Sequence, residues 1–177
     1  MLSQFNRESP AHRTLADFGF TKNVYPIGRL DADSEGLLLL SDEPELNQRL
    51  LNPAKGHQRT YWVQVERIPG APALEQLSNG LLIQGYKTRP CRVRILDPQP
   101  VMEPREPPIR VRKNIPDIWI ELVLTEGKNR QVRHMTAAIG HPTLRLVRVA
   151  IGSFQLKGLP SGEWKQVTES ERKQIFA

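Results

Sequence analysis

The stretch 25–42, YPIGRLDADSEGLLLLSD, carries residues whose types and spacing could do chemistry. It sets four charged side chains between two apolar runs: Arg29, Asp31, Asp33 and Glu35. Carboxylates at the edge of a hydrophobic core are costly unless they are paired with cations or used in a reaction. This density of charge beside a run of leucines therefore indicates a functional site.

Metal binding is one chemistry that these acids could support. Asp31, Asp33, Glu35 and Asp42 fall at ligand positions of a calcium-loop pattern, but Leu39 stands where a polar ligand is expected and strands are predicted on both sides. A magnesium-dependent phosphoesterase or nuclease that uses Asp31, Asp33 and Glu35 fits better, because alternating residues lie on one face of a strand.

A single carboxylate is the other possibility. Asp31 could act as a nucleophile or as a base, with Arg29 and Arg133 nearby to keep it ionised. This chemistry needs no second acid and no metal. The types and spacing of the residues leave the single-carboxylate and metal-dependent alternatives open.

The charge of the chain favours a polyanionic partner. Lysine and arginine total 25 against 19 aspartates and glutamates, which gives a net charge of +6. No acid lies between Glu126 and Glu163, where the basic residues are Lys128, Arg130, Arg133, Arg145, Arg148 and Lys157. Most of these are arginines, which suit phosphate contacts.

Composition excludes several other classes of protein. One cysteine, Cys91, rules out an internal disulfide and a cysteine-rich zinc cluster, and the four histidines lack metal-ligand spacing. No apolar stretch approaches the length of a membrane span, and the first residues, MLSQFNRESP, lack the layout of a secretory signal. A soluble cytoplasmic protein with one well-packed domain is expected from 177 residues.

The order of elements predicts an α+β fold with a mixed, mostly antiparallel sheet. Strands are predicted at 60–68, 91–96, 117–125 and 144–151, and the apolar run 37–40 predicts a strand covered on both faces. The proline-rich segment 97–116 is predicted to be extended and to leave the core.

Capping signals predict the helices. Asp42 is the predicted cap of a helix that ends at Asn52-Pro53, and Thr168 opens a terminal helix with a capping box. Further helices are predicted at 72–78 and 129–139, the second with Val132, Met135 and Ile139 facing the core.

Several separated motifs, in the right order, resemble the pseudouridine synthases of the RsuA-type ribosomal group. GRLDADSEGLLLL is similar to the catalytic motif of the family, and EGKNRQVRHM, TLRLVRVAIG and LPSGEWKQVT are similar to the carboxy-terminal motifs of this group. The stretches NPAKGHQRTYWVQVE and PPIRVRKNIP resemble members that act on large-subunit rRNA. The resemblance spans nearly the whole chain.

The resemblance implies a sheet with a central catalytic cleft and the conversion of a uridine in RNA to pseudouridine without cofactor or metal. Asp31 falls on the catalytic carboxylate of the family, which attacks C1′ of the ribose or removes the C2′ proton. Tyr61 falls on the active-site tyrosine that stacks on the base, and Arg133 on the arginine that pairs with the carboxylate. Arg29 falls on the residue that enters the space left by the flipped nucleotide, in keeping with the need to extrude the target base.

The resemblance also sets expectations for partners and domains. The expected partner is 23S rRNA or a large-subunit assembly intermediate, without a membrane, and the residues expected to contact RNA are Arg29, Lys128, Arg130, Arg145 and Arg148. Residues 1–177 are expected to form one catalytic domain that lacks the family's first strand residues, its early Lys-Pro motif and a separate N-terminal RNA-binding domain. A non-catalytic RNA-binding module is the alternative that is not an enzyme.

Overall fold

The computed structural model describes residues 1–109, 112 and 114–177, so the stretch PPIRVRKNIP lies partly outside the described residues. The strands are β1 Tyr25–Pro26, β2 Glu35–Gly36, β3 Leu40–Ser41, β4 Arg59–Glu66, β5 Leu82–Ile83, β6 Tyr86–Lys87, β7 Arg92–Ile95, β8 Asp117–Leu124, β9 Thr143–Ile151 and β10 Phe154–Gln155. The α-helices are α1 Glu45–Leu51, α2 Ala71–Asn79, α3 Gln131–Ala138 and α4 Glu169–Ile175, and short 3-10 helices span Leu15–Phe18 and Pro53–Lys55.

One six-stranded sheet organises the fold. Its strand order is β10-β9-β4-β8-β7, and β2 adds to the outer edge of β9. Every pairing in it is antiparallel except that of β2 with β9, which is parallel. The predicted α+β class with a mixed, mostly antiparallel sheet is therefore confirmed.

The two faces of the sheet carry different cores. On one face, alternating residues such as Val63, Ile120 and Leu146 pack against α2 and α3, and Val132 and Met135 of α3 belong to the same cluster. This confirms the predicted core-facing side of α3, because apolar residues at helical spacing share one face.

The opposite face is covered by the proline-rich segment. Trp119 and Val147 of the sheet pack there with Met102, and the side chain of Gln99 accepts a hydrogen bond of 2.7 Å from the backbone N–H of Trp119. The described residues of the segment form no helix or strand, as predicted, but they pack on the sheet where the sequence predicted a departure from the core.

The predicted strand over the four leucines 37–40 is wrong. Leu37 and Leu39 are buried, but β2 ends before the run and only Leu40 enters β3, which pairs with β1. The run crosses from one sheet to another, and its backbone is held by bonds such as Leu37 N–H to the Arg148 carbonyl at 2.9 Å. Continuous apolar character reports burial, and it does not specify which strand the backbone pairs with.

The other predicted elements fall within a few residues of their expected bounds, with one correction at α1. Asp42 does not cap that helix, which follows Pro44 and has no side-chain cap. The capping box of Thr168 and Glu171 at α4 is confirmed. Within the described part of the chain, no helix has the length and apolar character needed to cross a membrane.

Candidate active site

The turn between β1 and β2 presents Asp31 beside the sheet. The N–H of Ser34 donates to the carbonyl of Asp31 at 2.9 Å, which closes the turn, and Gly36 then pairs with Arg148 of β9. Gly36 has φ of +98°, and a Cβ at this position would overlap the backbone oxygen of Arg148. Only glycine allows this close approach, so Gly36 fixes the distance between the turn and the sheet.

Asp31 keeps an accessible carboxylate. Its side chain is 31% exposed, and its Oδ2 lies 3.8 Å from Nη1 of Arg130. This distance is too long for a direct hydrogen bond, so the carboxylate of Asp31 is left open to a substrate that approaches from solvent.

Asp33 holds the two arginines that surround this site. Its carboxylate accepts two hydrogen bonds from Arg130, at 3.0 and 3.1 Å, and lies 3.3 Å from Nη2 of Arg133. The same nitrogen of Arg133 donates to the Asp33 carbonyl at 2.8 Å. Arg133, predicted to pair with Asp31, is thus paired with Asp33, and the cation within 4 Å of Asp31 in the described residues is Arg130.

The ionisation of this cluster follows from those contacts. Burial disfavours the charged form of Asp33, but hydrogen bonds from Arg130 and the charge of Arg133 outweigh it and hold the pKa of Asp33 below its ordinary value. Burial is also the main influence on Arg133 and lowers its pKa, against the attraction of Asp33. Both arginines remain charged, because an arginine loses its proton only far above neutral pH.

The loop before α3 delivers Arg130 to this cluster. Arg130 adopts a left-handed backbone with φ of +50°, directly before the first residue of the helix. The side chain of Gln131 accepts from the N–H of Lys128 at 2.9 Å and donates to the buried Glu126 at 2.7 Å. These bonds fix the loop, so the strained backbone of Arg130 is held in place by its neighbours.

Arg145 does not lie where RNA could reach it. Its guanidinium makes a two-bond ion pair with Glu35, at 2.7 and 3.0 Å, and donates to the carbonyl of Glu103 at 2.9 Å. The residue is 8% exposed. The predicted phosphate contact is corrected to an internal ion pair that joins β2 to β9.

Arg148 is buried as well, so its predicted contact with RNA phosphate at the surface is also corrected. It is 4% exposed, and its Nε donates to the carbonyl of Leu37 at 2.7 Å. It stands opposite Tyr61 in the β4–β9 pairing. The alternation that the sequence shows in 144–151 therefore directs Arg148 into the molecule and leaves its charge beside the predicted tyrosine.

Tyr61 lies on the face of the sheet that α3 covers. It packs against the cluster that contains Val132 of α3. Arg59, two residues earlier on β4, is 6% exposed and donates to the Leu50 carbonyl at 2.6 Å. Burial lowers the pKa of Arg59, while the nearby Tyr61 hydroxyl acts in the opposite direction.

The remaining predicted RNA contacts are accessible. Arg29 and Lys128 are exposed, and Arg130 is 41% exposed at its side chain although it is paired with Asp33. The ammonium of Lys128 lies 5.4 Å from the centre of the Tyr86 ring. These three cations, unlike Arg145 and Arg148, can meet a polyanion from solvent.

The three acids do not form a metal site. Asp33 is paired with Arg130 and Arg133 and Glu35 is paired with Arg145, while Asp31 lies 3.8 Å from the same Arg130. In the ranges that the structure describes, no group of three or more acidic, histidine or cysteine side chains could hold a metal ion. This arrangement is wrong for the phosphoesterase and calcium alternatives, which need the acids to converge.

Sequence reasoning missed two residues of this region. Asp33 was assigned only to the metal alternative, yet it is the ion-pair partner of both Arg130 and Arg133. Arg59 was missed because it precedes a strand signal and resembles an exposed strand end. Arg59 alternates with Tyr61 and Val63, and residues two apart on a strand share a face. This spacing could have predicted that Arg59 lies on the same face as Tyr61.

Comparisons with known proteins agree on one family. A family model described as RNA pseudouridylate synthase matches residues 4–138. Ribosomal large subunit pseudouridine synthase E of Xanthomonas axonopodis pv. citri is 55% identical over 174 residues, which cover 97% of this chain and 92% of that protein. The protein of the same name from Vibrio parahaemolyticus is 45% identical over 166 residues, 94% of this chain and 69% of that one.

A solved structure supports the same family. A crystal structure of a pseudouridylate synthase superimposes with a TM-score of 0.76 at 27% identity, over 92% of this chain and 65% of that chain. This chain therefore belongs to the RNA pseudouridylate synthase family, whose members are isomerases that act on RNA.

Proposed function

We propose that this chain converts a specific uridine of large-subunit (23S) rRNA to pseudouridine, with Asp31 as the reacting carboxylate. The observation that carries the proposal is the accessible carboxylate of Asp31 in a chain that is 55% identical over 97% of its length to a large-subunit synthase. The substrate is free rRNA or an assembly intermediate of the large subunit. The reaction belongs in the cytoplasm, where that RNA is made, and residues 1–177 act as one catalytic domain.

The chemistry starts at the sugar. Asp31 either attacks C1′ of the ribose or removes the proton from C2′, and in both routes the glycosidic bond breaks with its electrons leaving on uracil. The uracil then turns and C5 bonds to C1′. In the first route this bond displaces the Asp31 carboxylate from C1′, and in the second route Asp31 returns its proton to C2′. The proton on C5 is then removed. The proposal assigns Tyr61 to stack on the base and to accept this proton.

Buried guanidinium groups suit the charge that develops on uracil. Nε of Arg133 and Nη2 of Arg148 are buried and have no hydrogen-bond partner in the described part of the chain. A buried donor without a partner costs on the order of 1–3 kcal/mol. Arg133 is bonded to Asp33 and Arg148 stands opposite Tyr61, so the two positive charges would stabilise negative charge on the departing uracil without a direct contact.

The proposal assigns Arg29 to replace the extruded base. Arg29 is exposed and precedes Asp31 by two residues in the same turn. An enzyme that works on the C1′–N1 bond must swing the nucleotide out of its stack. A planar guanidinium can stack in the space that the nucleotide leaves.

The function is tested in cells that lack this protein. Pseudouridine-selective labelling followed by mass spectrometry of their rRNA should show one large-subunit pseudouridine missing, and the purified protein should restore it. A complete set of pseudouridines would refute the proposed function. RNA binding without conversion by the purified protein would favour the non-catalytic module.

RNA affinity should depend on salt through the exposed cations only. Lys128→Gln and Arg130→Gln should each reduce the slope of log affinity against log salt by about 0.7 to 0.9, because each removes one phosphate contact. The measurement is a titration of labelled rRNA fragment over a series of salt concentrations. Lys173→Gln in the last turn of α4 is the matched control, and an unchanged slope in Lys128→Gln would show that this residue faces away from RNA.

Activity should persist in excess chelator, since the chemistry is assigned to one carboxylate. The substrate should be a short RNA stem-loop that stays folded without magnesium, and product is measured by pseudouridine-selective labelling. Loss of turnover that Mg²⁺ or Mn²⁺ specifically restores would contradict this assignment. Restoration by spermidine as well would trace the loss to RNA folding.

A further inference from the structure

Five aromatic side chains form a cluster on the surface beside the turn that carries Asp31. The aromatic surface consists of Phe5, Phe18, Phe20, Tyr25 and Trp164. Its ring centres lie 5.7 Å apart for Phe20 and Trp164, 6.1 Å for Phe18 and Phe20, 6.2 Å for Phe5 and Phe20, and 6.4 Å for Phe5 and Tyr25. The cluster holds three of the five phenylalanines, one of the three tyrosines and one of the three tryptophans of the chain. A large share of the aromatic side chains of this protein therefore lies in one place.

These rings are not part of the hydrophobic core. None of the five belongs to the three core clusters found among the described residues, and none is buried. Tyr25 is 63% exposed and Trp164 is 42% exposed. A contiguous exposed patch of this kind marks an interaction surface more often than isolated apolar side chains do.

The aromatic surface is anchored to the turn that carries Asp31. The hydroxyl of Ser3 donates to the Leu30 carbonyl at 2.8 Å and accepts from the Leu30 N–H at 3.0 Å, which ties the segment holding Phe5 to the residue before Asp31. Tyr25 precedes Arg29 by four residues, so their Cα atoms are at most about 14 Å apart. RNA that reaches Arg29 therefore passes within a few nucleotides of the rings.

Charge at the aromatic surface fits an anionic ligand. The guanidinium of Arg13 lies 5.2 Å from the centre of the Phe18 ring, and Lys22 is exposed in the same segment. The nearby Asp17 pairs with Arg7, and the charge of Arg13 also acts on Asp17. Exposed rings next to cations match the chemistry of unpaired nucleotides, which offer base faces and phosphates together.

We propose that the aromatic surface binds unpaired RNA bases that flank the target uridine, by stacking on Tyr25 and Trp164. The proposal rests on the proposed function, since it assigns a second contact for the same RNA. Stacking tolerates any base, because every base has a π-face. The surface adds affinity for single-stranded flanks and leaves the choice of uridine to the catalytic cleft.

Direct binding tests the proposal without turnover. The probe is an oligouridylate of about 12 nucleotides, within the usual range for single-strand sites, and the control ligand is an RNA duplex of equal length. Tyr25→Leu should weaken binding of the oligouridylate about tenfold and leave duplex binding within about twofold, as expected for loss of one stacked base. Tyr25→Phe keeps the ring and should bind like the parent protein.

Tryptophan fluorescence supplies a second readout. Trp119 is 7% exposed and Trp62 is half-buried, so Trp164 is the most accessible indole. Oligouridylate should quench its emission, and Trp164→Phe should remove the quenching while it keeps a stacking ring. Quenching that persists in Trp164→Phe, or equal losses of both ligands in Tyr25→Leu, would overturn the proposal.

Other outcomes separate this proposal from the proposed function. Oligouridylate binding that depends on Tyr25, in a protein that modifies no rRNA uridine, would refute the function and keep the aromatic surface. Normal modification with oligouridylate binding that is unchanged in Tyr25→Leu would refute the aromatic surface alone. If the surface instead joins two copies of this chain, Tyr25→Leu would change the sedimentation coefficient without changing oligouridylate binding, and the proposal would again be overturned.

Discussion

Asp31→Asn is expected to abolish turnover, with a loss on the order of 10⁴-fold or more, as for removal of a reacting group in other enzymes. Asparagine keeps the size and much of the hydrogen bonding of aspartate, but it can neither attack C1′ nor take the C2′ proton. RNA affinity should stay within about tenfold, or 1.4 kcal/mol, because Asp31 is assigned to the chemistry and not to holding phosphate. Pseudouridine formation on an rRNA fragment and a binding titration are the two measurements.

Folding is the control for this prediction. The Asp31 carboxylate is 31% exposed and lies 3.8 Å from Arg130, so its contribution to the free energy of unfolding is that of a surface ion pair, about 0–1 kcal/mol. Thermal melting of Asp31→Asn should therefore match the parent closely. A folded Asp31→Asn protein that converts uridine near the parent rate would show that the carboxylate assignment is wrong.

Asp33→Asn is the matched variant, two residues away in the same turn. It removes the carboxylate that pairs with Arg130 and Arg133, and it leaves Asp31 in place. Measurable activity should remain, because Asp33 positions the arginines and does not touch the reacting atoms. Equal losses in Asp31→Asn and Asp33→Asn would point to a shared electrostatic role in place of a single reacting carboxylate.

The strands and helices were predictable because their signals are local. The alternation in β4 and the helical spacing of Val132 and Met135 each lie within a few residues, and the structure reproduces both. The choice of Asp31 as the candidate reacting carboxylate followed from its motif and from the family resemblance. Periodicity alone could not have distinguished it from Asp33 or Glu35, which lie at the same spacing.

The partners of the charged residues were not predictable, because they lie far apart in the sequence. Glu35 and Arg145 are separated by 110 residues, and Arg133 and Asp33 by 100. A basic segment without acids favours a solvated, phosphate-binding surface, but the parallel pairing of β2 with β9 brings Glu35 to Arg145. Sequence patterns assign a face to Arg148, and only the tertiary fold shows that this face is covered.

Of the variants Asp31→Asn, Asp33→Asn and Glu35→Gln, the last should give the largest loss of stability. Its partner Arg145 is 8% exposed, so removal of the Glu35 charge leaves a buried guanidinium without a carboxylate at bonding distance. Breaking a fully buried ion pair costs about 3–5 kcal/mol of the free energy of unfolding. Because the Glu35 side chain is 26% exposed, we expect a smaller loss here, of about 2–3 kcal/mol. For a domain of this size the melting temperature should fall by roughly 4–12 °C.

A double-mutant cycle separates the ion pair from other contacts of Arg145. Arg145→Met removes the charge and the bond to Glu103, and the combined variant Glu35→Gln with Arg145→Met should be more stable than the two separate losses predict, by about 1–3 kcal/mol. Arg94→Gln is the control within the same sheet, since Arg94 is 61% exposed in its pair with Glu121 and its loss should cost no more than about 1 kcal/mol.

An activity assay of Glu35→Gln tests whether Glu35 takes part in the reaction. Glu35 joins β2 to β9 and so supports the turn, and its carboxylate accepts two hydrogen bonds from Arg145. Glu35→Gln, assayed well below its melting temperature, should therefore keep most of the parent turnover per folded molecule. If turnover is lost while circular dichroism shows a fully folded protein, Glu35 takes part in the chemistry, and Asp31 does not act as a single carboxylate.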